Sequence, residues 1–169
     1  MVAHEPDAAF TAYISVRVLW LRRIAYLLCR DWNQTDDLTQ TAIAKFYARW
    51  PKLRSDTDNL DAYLRTTLVN TYISEQRSGW RRLTSLHSEL GDKAASEIDQ
   101  DTKIDLRDAL AKLPPRQRAA IVLRYYCDLS VEQAARELGC SAGTVKSQTA
   151  RALDAMRRAL DGYPAMRGS

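Results

Sequence analysis

The stretch Leu129–Leu160, LSVEQAARELGCSAGTVKSQTARALDAMRRAL, decides how the rest of the chain is read. Ser130, followed three residues later by Gln133, reads as a capping box opening a short helix, VEQAAREL, that is expected to bury Val131, Ala134, Ala135 and Leu138. Gly139 ends that helix, because glycine takes the positive φ of a tight turn without a steric penalty. Ser141 then caps a second helix, so the spacing predicts helix, short turn, helix, the pattern of a DNA-binding helix-turn-helix.

The second helix has two unlike faces. At about 100° per residue, Val145, Thr149, Ala152, Leu153, Met156 and Leu160 fall on one side, and Thr144, Ser147, Gln148, Arg151 and Arg158 on the other. The first side is expected to pack. The second suits the major groove, where Gln pairs bidentately with adenine and Arg with guanine, while Lys146 is better placed for a phosphate. An ordinary amphipathic surface helix would show the same division of faces. Cap, small-residue crossing, glycine turn and basic face all agree on the DNA-binding alternative.

Working upstream, Leu106, Leu110 and Leu113 open the same domain, and Pro114 and Pro115 break the chain. PRQRAAIVLRYYC then forms a helix expected to turn Ile121, Val122 and Tyr125 inward. Residues 83–104 are acidic, rich in small residues and without a sustained apolar period, so they read as a linker. His87 within it lacks ligand spacing and is expected to be exposed.

The N-terminal part, residues 1–82, reads as three helices. From Pro6 to Cys29, Phe10, Ile14, Val18, Leu21, Ala25 and Leu28 recur at spacings of three and four, giving one apolar stripe. Asn33 or Thr35 is expected to cap DDLTQTAIAKFYARW, placing Asp36 and Asp37 where the helix dipole favours acids. Leu38, Ala42 and Phe46 form its buried row, and Ile43, Tyr47 and Trp50 beside it are either extra core or a docking surface. Pro51 is expected to end this helix, and Asp58 to cap the next. There, Leu64, Leu68 and Tyr72 form a core row with Val69 at its edge. Thr66, Asn70, Ser74, Arg77 and Arg81 share another face, within roughly 80°. Arg77, Arg81 and Arg82 surround Trp80, a grouping that can hold phosphates while the ring stacks on an unpaired base. A helix end whose arginines only complement the dipole is the alternative.

Composition bounds the function. The chain of 169 residues is 46% hydrophobic, enough for one domain or two small packed ones. Net charge is +4, but 12 Lys/Arg against 9 Asp/Glu in residues 1–82 and 10 against 5 in residues 109–169 flank an acidic block with 3 against 7. Two basic blocks fit a polyanion. Cys29, Cys127 and Cys140 are widely spaced and the chain holds two histidines, so neither a disulfide framework, a metal site nor a cofactor site is expected. A reducing cytoplasm is the expected setting, with no membrane span. An enzyme would need convergent acids, His or a nucleophile, and the only close acidic pair, Asp36 and Asp37, is explained by capping.

An all-α chain of two small helical domains, a linker and a terminal helix-turn-helix resembles the bacterial RNA polymerase sigma factors of the extracytoplasmic-function (ECF) group, which keep only regions two and four. DDLTQTAIAKFYARW is similar to the acidic region-two helix, and LPPRQRAAIVLRYYCDLSVEQAARELGCSAGTVKSQTARAL to region four throughout. The resemblance implies core RNA polymerase and promoter DNA as partners, and the family often adds an anti-sigma factor. It implies that Asp36, Asp37 and Gln40, with Ile43 and Tyr47 beside them, dock on the polymerase clamp. Thr41 stands where the family usually has Glu. By the same resemblance Thr66, Asn70, Ser74 and Arg77 meet the minus-ten element, with Trp80 and Arg81 helping to hold the opened strand. Thr144, Lys146, Ser147, Gln148 and Arg151 meet the minus-thirty-five element. Residues 1–82, 83–104 and 105–169 become region-two domain, linker and region-four domain. Two elements about two helical turns apart are separated by roughly 70 Å, and about 25 extended residues reach roughly 80 Å. The linker can span them. The competing reading is a stand-alone helix-turn-helix repressor or activator whose N-terminal bundle dimerises or senses a ligand.

Overall fold

The computed structural model describes residues 7–55, 58–90 and 106–161, with the side chains of 78–90 outside the description. All its regular elements are helical: α1 Ala8–Cys29, α2 Trp32–Leu53, α3 Leu60–Leu90, α4 Leu106–Ala111, α5 Pro115–Ile121, α6 Val131–Leu138 and α7 Ala142–Asp161. A π-helical turn, Val122–Tyr126, prolongs α5. The chain divides into two units, Met1–Thr71 and Tyr72–Ser169.

In the first unit, Asp7 caps α1 by accepting the Ala9 amide at 2.8 Å. Leu21, Ile24, Ala25 and Leu28 of α1, Leu38, Ala42 and Phe46 of α2, and Leu64, Leu68 and Val69 of α3 are withdrawn from solvent. Each large side chain among them stabilises the unit by roughly 1.5–3 kcal/mol. Phe46 lies at the centre of an aromatic cluster, with its ring centroid 6.1 Å from Phe10, 5.6 Å from Tyr13, 5.8 Å from Trp50 and 6.2 Å from Tyr63. It therefore ties α1, α2 and α3 together.

The packed side of α1 is rotated from the expected stripe. Ile24 is buried, Ile14 is half-buried and Val18 is exposed, because the stripe centres on Leu21 and Leu28 and Val18 lies about 60° from Leu21 on the side away from Ile24. The start of α2 also moves. Asp31, not Asn33 or Thr35, is the cap, accepting the Gln34 amide at 3.1 Å, while the Thr35 hydroxyl is buried and donates to the Asp31 carbonyl at 2.7 Å. Asp36 and Asp37 consequently lie beyond the first turn, and capping does not account for them. Pro51 does not end α2. It sits in the last turn, and beyond it Arg54 N–H still reaches the Trp50 carbonyl at 2.9 Å, so the turn closes past the proline. α3 begins at Leu60 and carries the expected Leu64, Leu68, Val69 and Tyr72 buried. It runs on to Leu90, so residues 83–90 are helical where a linker was expected to open. Leu83, Leu86 and Leu90 stand at helical spacings there.

One polar clamp joins α1 to α3. Tyr13 Oη donates to Asp61 at 2.6 Å, Arg17 Nε donates to the same carboxylate oxygen, and the Arg17 guanidinium lies 4.1 Å from the Tyr13 ring centroid. Partial burial pushes the Asp61 pKa up, but the hydrogen bonds from Tyr13 and Arg17 and the nearby arginine charges outweigh it, and the net shift is downward. Tyr13 moves up, through desolvation first and the Asp61 bond second. A carboxyl whose folded pKa is depressed stabilises the fold above its unfolded value of about 4, and that contribution is lost as pH falls through the folded value. Asp61→Asn is therefore expected to flatten the acid limb of stability against pH, measured as urea midpoints of the full chain. An unchanged acid slope would contradict the clamp.

In the second unit, the Ser130 box is present in both directions: Gln133 N–H donates to Ser130 Oγ at 3.1 Å, and Ser130 N–H to Gln133 Oε1 at 2.9 Å. Gly139 closes α6 in the left-handed region at φ 65°. Ser141 Oγ accepts the Thr144 amide at 3.1 Å and so starts α7. Arg118 satisfies the carbonyls that end α4, donating to Leu110 at 3.0 Å, Ala111 at 2.5 Å and Leu113 at 2.9 Å. This fixes α4 on α5.

The core of this unit holds Leu110, Leu113, Ala119, Ala120, Ile121, Val122, Leu123, Ala134, Ala135, Val145, Ala152 and Met156. Several expected positions differ. Tyr125 is exposed and Leu123 is buried in its stead. The π turn, closed by Cys127 N–H to the Val122 carbonyl at 3.0 Å, is wider than an α turn, so three residues past Val122 no longer return to the inward side. Leu106, at the first position of α4, is exposed. In α6 Val131 and Leu138 are only half-buried, being at the two ends of the helix, and Glu137 at the edge of the packed face is buried. Leu153 is exposed because it stands about 100° from Ala152, at the margin of α7's packed face, and Leu160 at the helix end is half-buried.

The three cysteines are half-buried and none of them is in a disulfide. Among the described residues no cluster of His, Cys, Asp and Glu could hold a metal, and no helix is long and apolar enough to cross a membrane. His87, Arg82 and the segment after Asp161 lie outside the described side chains.

Candidate nucleic-acid and protein interfaces

The helix-turn-helix presents one polar face. On α7, Thr144, Lys146, Ser147, Arg151 and Arg158 are exposed and Gln148 is half-buried, opposite buried Val145, Thr149, Ala152 and Met156. Two of these side chains are already engaged. The Thr144 hydroxyl lies 2.9 Å from that of Ser141, within the cap, and Arg158 pairs with Asp154 at 2.5 Å. Lys146, Ser147, Gln148 and Arg151 are left uncommitted on this face. Arg136, exposed in the last turn of α6, adds positive charge to the helix that crosses the phosphate backbone in this motif. Periodicity does not single out Arg136, because on α6 it marks the buried face alone.

On α3, Asn70, Ser74 and Arg77 are exposed and Thr66 is half-buried, so these four occupy one accessible side. Trp80 and Arg81 lie among the side chains outside the description. Thr67 and Thr71 return their hydroxyls to the Tyr63 and Thr67 carbonyls, and Lys45 of α2 reaches Thr71 at 3.2 Å, which fixes α3 beside α2.

α2 has two accessible strips rather than one. Asp37 and Gln40 are exposed on an outward ridge that continues through half-buried Thr41 to exposed Ala44 and Ala48. Ile43 and Tyr47 stand on the flank toward α1 and are half-buried, with the Tyr47 ring 4.6 Å from Phe10. Trp50 is core: it is buried, and its indole N–H donates to Asp7 at 3.1 Å. The two acids differ. Asp36 accepts from Arg22 at 2.9 Å, whereas Asp37 has no ion pair or hydrogen bond among the described residues. Ala44 and Ala48 are exposed although alanine counts as apolar, so periodicity alone does not place them on the outer side.

An all-α chain whose first unit exposes an acidic helix ridge and whose second unit is a helix-turn-helix with a basic reading face has the architecture of a DNA-binding transcription factor. The models for sigma-70 region 2 and sigma-70 region 4 match residues 7–82 and 103–156 respectively. The RNA polymerase sigma-E factor of Streptomyces avermitilis is 36% identical over 163 residues, covering 95% of this chain and 89% of its own length. The ECF RNA polymerase sigma factor SigL of Mycobacterium tuberculosis is 34% identical over 149 residues, covering 85% and 82%. The sigma factor RpoE from Bartonella quintana, solved in complex with the anti-sigma factor NepR, superposes with a TM-score of 0.72 at 27% identity, covering 92% of this chain and 98% of that one.

The chain belongs to the RNA polymerase sigma factors of the ECF type, and its function is promoter recognition in transcription initiation. The stand-alone repressor or activator is not favoured, since the unit it would use for dimerisation or sensing matches sigma-70 region 2.

Proposed function

We propose how this sigma factor divides its work over its own residues. The ridge of α2, with Asp37 and Gln40 in contact and Asp36 held by Arg22 behind them, docks on core RNA polymerase, with Ile43 and Tyr47 at its margin. Thr66, Asn70, Ser74 and Arg77 of α3, followed by Trp80 and Arg81, meet the minus-ten element. Gln148 and Arg151 of α7 read bases of the minus-thirty-five element, Ser147 supports them, Lys146 takes a phosphate, and Thr144 orders the helix start. In this assignment residues 1–82 are the region-two domain, residues 105–169 the region-four domain, and the segment between them the connection.

The observation that carries the reading is the exposure of one uncommitted polar helix face in each unit: Asp37 with Gln40, and Lys146 with Ser147 and Arg151. The protein acts in the cytoplasm, without an active site of its own, because the chemistry belongs to the polymerase. An anti-sigma factor is a further partner, supported by the Bartonella relative, which was solved with one.

Asp37→Ala tests the docking face. It is expected to weaken binding to core polymerase about five- to tenfold, roughly 1–1.4 kcal/mol, with helical content and melting unchanged. Wild-type affinity in the variant would remove Asp37 from the interface.

A further inference from the structure

Trp32, the first residue of α2, is an aromatic ring held in place yet half open to solvent. Its relative exposure is 52%. The Tyr26 ring of α1 stacks on it, with centroids 4.1 Å apart and planes 15° from parallel. The Arg22 guanidinium lies over it at 4.7 Å from the centroid, and Arg30 lies 5.6 Å from the Tyr26 centroid. Arg22 also donates to Asp36 at 2.9 Å. One guanidinium thus fixes an indole and a carboxylate that are four residues apart.

Burial alone does not explain this arrangement. A tryptophan serving the core would be covered, as Trp50 is at 5% exposure. Trp32 is instead immobilised by its neighbours while its outer edge stays free. An aromatic ordered in advance gives up little further entropy on binding, which is how tryptophan comes to dominate many interfaces. Its place selects the partner. Trp32, Asp36 and Ile43 stand within about 40° of one another on the flank of α2 toward α1, so the ring extends the Ile43 and Tyr47 margin of the docking surface toward the start of the helix. Asp37, uncommitted on the ridge of the same helix, calls for a basic surface on that partner.

We propose that Trp32 is a direct contact to core RNA polymerase, forming the N-terminal end of the α2 docking surface, and that Arg22 is its positioning residue. The proposal rests on the docking assigned to α2 above. Binding of the full chain to core polymerase, in the absence of DNA, tests it. Trp32→Ala is expected to weaken binding at least tenfold with helical content and melting unchanged, and Trp32→Phe to stay within threefold of wild type. Arg22→Ala is expected to weaken binding severalfold in the wild-type background and at least threefold less in the Trp32→Ala background, a coupling that loss of fold stability would not produce. Should Trp32→Ala lower the melting temperature, Trp32→Leu, which keeps apolar cover on Tyr26, carries the same expectation. Trp32 variants that bind within twofold of wild type overturn the proposal while leaving the α2 docking intact. A wild-type chain that does not bind core polymerase overturns the docking itself.

Discussion

Phe46→Ala is expected to destabilise the N-terminal unit by about 3–5 kcal/mol. Phe46 is fully buried and its ring faces Phe10 and Tyr13 of α1, Trp50 of α2 and Tyr63 of α3, so truncation opens a cavity where three helices meet. A small domain has about 0.05–0.15 kcal/mol of stability per residue, and a unit ending at Thr71 has little to spare. Urea unfolding of the full chain should show an early transition for this unit, and polymerase binding should fall with it. Phe46→Leu, which keeps most of the volume, should lose less than half as much. A shift below about 1 kcal/mol for Phe46→Ala would mean that the site collapses around the gap, and the aromatic cluster would not be what joins the helices.

Arg151→Ala has the second large effect, on recognition rather than folding. Arg151 is exposed on the free face of α7, three residues past Gln148, and unlike Arg158 it is not held by a carboxylate of its own helix. A bidentate arginine contact is worth about 1–3 kcal/mol of discrimination at one base pair. The variant should therefore lose roughly ten- to a hundredfold in preference at a single position of the upstream element, with the salt dependence of binding little altered. A panel of single-base promoter variants read with the holoenzyme would show this. Uniform weakening on every sequence, with a shallower salt slope, would reassign Arg151 to a phosphate.

The helix-turn-helix was legible because its signals are local. Ser130 with Gln133, Gly139 and Ser141 each act on backbone within four residues of themselves, and each does in the fold what its type dictates. The apolar rows through Leu38, Ala42 and Phe46 and through Leu64, Leu68 and Tyr72 were legible for a similar reason, since periodicity records a buried face directly. What escaped depends on neighbours distant in sequence or on small departures from ideal geometry. The π turn after Ile121 turned Tyr125 outward, and no periodic count anticipates an extra residue in one turn. Asp31 took the cap from Asn33 and Thr35 because Thr35 is buried in the packed bundle. Pro51 was tolerated because the helix had a single turn left to run.

The candidate surfaces divide in the same way. The polar face of α7 follows from one helix, and Lys146, Ser147 and Arg151 are exposed on it, although Thr144 is drawn into the cap. The α2 surface needed its neighbour. Only with α1 in place does Arg22 bind Asp36, Asp37 stay uncommitted, Trp50 withdraw into the core and Trp32 become a supported, open ring. Both acids lose their capping explanation at the same step; Asp36 has Arg22 in its place, and Asp37 alone is left open to a partner.

The most direct test of the account is run-off transcription from genomic fragments of the source organism, with purified protein in the presence and absence of core RNA polymerase, alongside DNA binding by the protein alone. The account predicts transcripts that start downstream of a shared two-element motif only when both protein and polymerase are present, and that fade when the docking ridge is altered at Asp37. Tight, specific DNA binding by the isolated chain without polymerase-dependent initiation would contradict it.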